Sequence, residues 1–226
     1  MLQGWSIHNL LKVETLIQEM MRLESKGATM IAPTTDTFSI SIGSCVRYEQ
    51  RDDSQSIMKP GYGCEFAKSL LVEAIDREKG GDKRCVTSLE MFNNVLKCTA
   101  VTSSYSYSVT DTAFFVMKIL KHSRHDADNI TYKYLIQTIL KSDHDSSAKA
   151  KMLRRALNLC MEDGQICSGV IKLITRKMCE HRRWNYRDSR SLMKDCFGKG
   201  PLQISWYRNL NSSDVPPSMS DLRPSF

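Results

Sequence analysis

Apolar residues recur three and four positions apart over most of this chain, the spacing of helices that bury one face. Leu10, Leu11, Val13, Leu16, Ile17, Met20, Met21 and Leu23 form a wide stripe, which predicts an amphipathic helix within 1–27, capped by Ser6 and stopped at Gly27. From Glu65 to Lys79, Phe66, Leu70, Leu71 and Ile75 share a side, and Gly80-Gly81 ends the run. Thr87 to Ala100 opens on a capping box, Thr87 with Glu90, inside a Val86–Met91 hydrophobic staple. Further helices start at Thr110 or Asp111, at Asp128 or Asn129, at Ser146-Ser147 and at Gln165, with a shorter one over 189–196. The starts fall roughly 20 residues apart, so helix pairs recur at roughly 40, within the range of two-helix solenoid repeats, although no residue pattern repeats with them.

One segment has another period. In the Ser- and Thr-rich stretch 28–59, Phe38, Ile40 and Ile42 alternate with Thr37, Ser39 and Ser41, as along a strand, and Gly43-Ser44 suits a tight turn. A short β-hairpin near 37–48, or a long partly ordered insertion, fits this pattern. The expected fold is mainly α, an irregular α-solenoid-like stack or helical bundle with that one hairpin insertion. Its divisions are an N-terminal amphipathic helix (1–27), a polar loop or hairpin (28–63), a helical array (64–208) and a disordered Pro- and Ser-rich tail (209–226).

Composition agrees with a folded chain: 41% apolar and 25% charged residues. No apolar run approaches the roughly 18–20 residues needed to span a bilayer, and the start lacks the basic and apolar regions of a secretory signal. An intracellular location, nuclear or cytoplasmic, is therefore expected. The eight cysteines then read as reduced, mostly buried thiols, and the two Asn-x-Ser/Thr sequons at Asn129 and Asn211 as unused. The abrupt helical start suits a region or isoform of a longer protein.

Charge is uneven. The net charge is +7, yet Lys149 to Arg208 holds 14 Lys+Arg against 5 Asp+Glu. Lys149, Lys151, Arg154 and Arg155 belong to one expected helix and Lys172, Arg176 and Lys177 to the next. Arg182, Arg183, Trp184, Tyr186, Arg187 and Arg190 follow. Cations interleaved with aromatics suit phosphates and stacked bases, and the same types anchor protein interfaces. A second candidate contact is the partner-helix face Leu10, Leu11, Ile17, Met20 and Met21, which otherwise packs within the chain.

Catalytic signals are weak. Phosphate-binding loop, dinucleotide, zinc-protease and nucleophile-elbow motifs are absent. His122, His125, Asp126 and Asp128, with His144-Asp145, have the chemistry of a divalent-metal site but fall between helices, where polar residues are ordinary. Cys160, Cys167, Cys179 and His181 have the types for zinc at unfavourable spacing, and Cys167 or Cys179 would serve as a nucleophile only with a lowered thiol pKa. The expectation is a non-enzymatic adaptor or scaffold module with protein partners and no metal, cofactor or catalytic residue. Nucleic-acid binding by the basic third is the alternative, and a metal-dependent hydrolase comes behind both.

Overall fold

In a computed structural model, helix-forming segments separated by capping residues and glycines become eight α-helices among the described residues. The structure describes residues 10–50, 61–102, 107–180, 204–206 and 208–210. These helices are α1 (Leu10–Ser25), α2 (Thr35–Glu49), α3 (Tyr62–Lys79), α4 (Leu89–Val101), α5 (Tyr107–Lys121), α6 (Asn129–Lys141), α7 (Ser146–Glu162) and α8 (Ser168–Glu180). Short 3-10 turns lie at Thr29–Ile31 and Ile204–Trp206. No strand occurs among the described residues, and none of their helices is long and apolar enough to cross a membrane. The expected Ser6 cap, the helix over 189–196 and the tail beyond 210 lie outside the described residues.

The hairpin expected near 37–48 is helix α2. Phe38, Ile42 and Cys45 are buried along one stripe, and Thr37, Ser41 and Ser44 are buried beside them. Their polarity is absorbed locally, because the Ser41 and Ser44 hydroxyls donate to the carbonyls of Thr37 and Ile40, each at 2.7 Å. Hydroxyl residues thus occupy core positions that an apolar count leaves blank. A capping box starts the helix: Thr34 accepts from the Thr37 amide, and Thr37 answers at the Thr34 amide.

The chain divides into two compact units, Met1–Asp126 and Ala127–Phe226. In the first, α2 packs on α3 and α4, α3 on α4 and α5, and α4 on α5, while α1 rests on α2. Helices α2 and α4 run parallel. Near their starts the Thr35 hydroxyl meets Val86, and at their ends Glu49 meets Thr102. Phe38, Ile42, Leu71, Met91, Phe92 and Leu96 fill the core between them. Each such side chain contributes about 1.5–3 kcal/mol when fully buried.

The second unit is built on α6, against which both α7 and α8 pack. Asp128 caps α6 and forms a box with Thr131. Tyr132, Leu135, Ile136 and Ile139 of α6 meet a core completed by Leu153, Leu157, Ile171 and Ile174. Helix α7 stops at Gly164, whose φ of +66° is costly for a residue with a Cβ. The amides of Gly164 and Gln165 bond back to Met161 and Cys160 in a Schellman closure. The same closure with positive-φ Gly81 ends α3, where the Gly pair predicts a stop.

Candidate functional site

Helix α7 carries the basic residues because its opposite face is apolar. Leu153, Ala156, Leu157 and Cys160 are buried, which turns Lys151, Arg154 and Arg155 outward together at helical spacing. Ser147, Asn158 and Glu162 complete that exposed face. From Ser146 to Met161 the helix has no carboxylate. Lys149 departs from the expected set. It stands about 200° around the helix from Lys151 and is only 7% exposed, so it belongs to the interior. On α8, Lys172 and Arg176 are exposed one turn apart, and Val170, Ile171 and Ile174 are buried. The Lys177 side chain and Arg182, Arg183, Trp184, Tyr186, Arg187 and Arg190 lie outside the described residues.

The turn after α7 is held by a distant segment. The Ile166 amide donates to Trp206 O at 2.9 Å, and the Asn209 amide to Gly164 O at 3.1 Å. Arg208 Nη2 donates to Glu162 O at 2.6 Å. The Tyr132 hydroxyl donates to the Asp163 carboxylate. Burial and that carboxylate push the Tyr132 phenol well above its ordinary range, so it stays protonated.

Of the N-terminal face, Leu10 and Ile17 are buried within the first unit together with Val13. Leu11 is exposed, and Met20 and Met21 are half-buried. The stripe thus gives Leu10, Val13 and Ile17 to the core and leaves Leu11, Met20 and Met21 partly or fully outside it.

Three of the groups read as metal candidates have structural positions. His125 Nε2 lies 2.9 Å from Thr87 O, and the ring sits tilted against Phe92. Asp128 caps α6, and Asp145 caps α7 by accepting from the Ala148 amide at 2.8 Å. Among the described residues, no group of three or more His, Cys, Asp or Glu is placed to hold a metal ion. Cys167 acts as the cap of α8, its sulfur accepting from the Val170 amide at 3.4 Å. Burial pushes the Cys160 thiol well up, away from the thiolate that zinc requires. Cys179 is outside the described side chains, as is His181.

Two constellations in the first unit have no signal in the sequence. The first is a buried carboxylate. Glu49, at the end of α2, accepts from the Gly63 amide at 2.8 Å and from the Thr102 hydroxyl. The residue that caps α3, Gly61, has no side chain to do so, and Glu49 takes over that task from another helix. The second is a set of three buried thiols, Cys45, Cys64 and Cys98, with Cys64 Sγ 3.6 Å from Cys98 Sγ. Separations of 14, 53 and 34 residues leave no local pattern to find.

No protein-family model, no curated protein and no solved structure matches this chain. The cap of α4 shows a contact from another helix displacing a local one. Ser88, one residue beyond the expected Thr87, accepts from the Met91 amide. Thr87 instead donates through both its amide and its hydroxyl to Glu78, which also pairs with Arg124 at 3.0 Å.

Proposed function

We propose that the chain is a non-enzymatic interaction module, an adaptor or scaffold of a larger assembly in the nucleus or cytoplasm, that docks acidic protein segments on the outer face of α7. The observation that carries this reading is the exposed row Lys151, Arg154 and Arg155 on a helix without a carboxylate from Ser146 to Met161. Basic groups on one rigid face steer an acidic partner and fix its register. Lys172 and Arg176 on α8 add charge of the same sign within that unit. In the first unit each of α2 and α3 touches both the next helix and the one after, which supports a stacked array with extended outer surfaces.

A nucleic-acid reading draws on the same row, because guanidinium and ammonium groups also neutralise phosphates. Excess positive charge over 149–208 favours it.

An affinity purification of the full chain separates the two. Wild type is compared with Lys151→Glu/Arg154→Glu/Arg155→Glu, each with and without nuclease. Stoichiometric protein partners that survive nuclease and are lost from the variant support the adaptor reading. Partners that vanish with nuclease support the nucleic-acid reading. Affinity for a single strand should then fall with salt at a log–log slope of about −2 for three phosphate contacts. Partners retained by the charge-reversed variant remove this face from both readings.

A further inference from the structure

We propose that Cys64 and Cys98 are a reversible redox pair, closing into a disulfide that staples the first turn of α3 to α4. Of the six cysteines described, all buried and all reduced, these two stand 3.6 Å apart, sulfur to sulfur. A disulfide needs about 2.05 Å, so closure requires a shift of roughly 1.5 Å, shared between two side-chain rotations and a small movement of packed helices.

Other described thiols are otherwise engaged. Cys45 donates to Ser41 O at 3.3 Å, and Cys85 to Ala74 O at 3.5 Å. In unit 2, Cys167 accepts from the Val170 amide. Cys64 points its thiol at Cys98. Access also differs within the pair. Cys98 lies in the body of α4, and burial beside Cys64 and Cys45 raises its thiol well above the ordinary value. Cys64 lies in the first turn of α3, where the cap is a glycine and the holding group, Glu49, comes from another helix. First turns open more readily than helix interiors, so an oxidant reaches Cys64 first.

The exchange balances with a small-molecule disulfide as oxidant. The Cys64 thiolate attacks one sulfur of that disulfide, forming a mixed disulfide and releasing one small thiolate. The Cys98 thiolate then attacks the Cys64 sulfur, forming the Cys64–Cys98 bond and releasing the second. The protein loses two protons and two electrons, and the oxidant becomes two thiols.

The full chain is incubated with oxidised glutathione, quenched by alkylation and mapped by non-reducing peptide mass spectrometry. The expected result is a linked peptide pair containing Cys64 and Cys98, reversed by dithiothreitol. Its unfolding midpoint should rise by about 10 °C. Cys45→Ala should still form the link. Cys98→Ala, its helicity checked by circular dichroism, should stop at a glutathione adduct on Cys64. Cys64 and Cys98 both recovered as alkylated thiols, or Cys64 linked to another cysteine instead, would overturn the pair.

Discussion

Glu49 of α2 and Arg154 of α7 are charged residues on helices of similar length, and the two units use them in opposite ways. Glu49 is buried and accepts from two other helix ends. Arg154 stands in an exposed row of like charge with Lys151 and Arg155. A buried charge is tolerated only when its acceptor sites are filled by well-placed donors, and losing it strands those donors. An outward charge contributes little to folding and adds to the field a partner meets. Stability and recognition should therefore be separable by mutation.

Removing the buried carboxylate should have the largest effect. Glu49→Ala leaves the Gly63 amide and the Thr102 hydroxyl buried without their acceptor, which should cost about 3 kcal/mol in urea unfolding. Glu49→Gln, which keeps a carbonyl oxygen, should cost less. Next comes crowding of the same place. A Cβ on Gly63 would lie 2.9 Å from Glu49 Cγ and Oε1, both pinned, and 3.2 Å from Cys45 O, so Gly63→Ala should destabilise by about 2 kcal/mol. Loss of a helix cap in the other unit, Asp128→Ala, should cost about 1 kcal/mol.

Acid tests the same division. Burial pushes the Glu78 carboxyl up, but the Thr87 hydroxyl and amide, with Arg124 and His125 nearby, outweigh it and hold it below its ordinary value of 4.5. A depressed carboxylate contributes stability above that ordinary value and loses it as pH falls through the lower folded value. The urea midpoint of the full chain should drop below about pH 4.5, and Glu78→Gln should flatten that slope. Smallest of all should be the stability effect of Lys151→Glu, Arg154→Glu or Arg155→Glu, within about 0.5 kcal/mol each. If those changes unfold the second unit, the contrast between structural and recognition charge fails.

Signals confined to a few residues were legible. The stop at Gly80-Gly81 and the start of α6 at Asp128 each depend on groups within one or two helical turns. On α7, Lys149 shows how narrow the margin is, since two residues of helix separate an interior cation from an exterior one. Helix α2 was missed because Thr37, Ser41 and Ser44 take core positions and hide the helical period behind an alternating one. Likewise, the cap of α4 moved from Thr87 to Ser88 because Glu78 of α3 claims the Thr87 hydroxyl. Glu49 with Gly63 and Thr102, and Cys64 with Cys98, required the fold itself to bring them together.

Glu49 also imposes an order of events during synthesis. Its first donor, Gly63, is 14 residues away, and its second, Thr102, is 53 away. A nascent chain can close the α2–α3 hairpin on Glu49 early, since short loops close fastest. The carboxylate then waits half-satisfied until residue 102 has emerged. A chain stalled before that point holds two paired helices around a carboxylate that still favours water, which keeps the intermediate loose until α4 arrives to complete it.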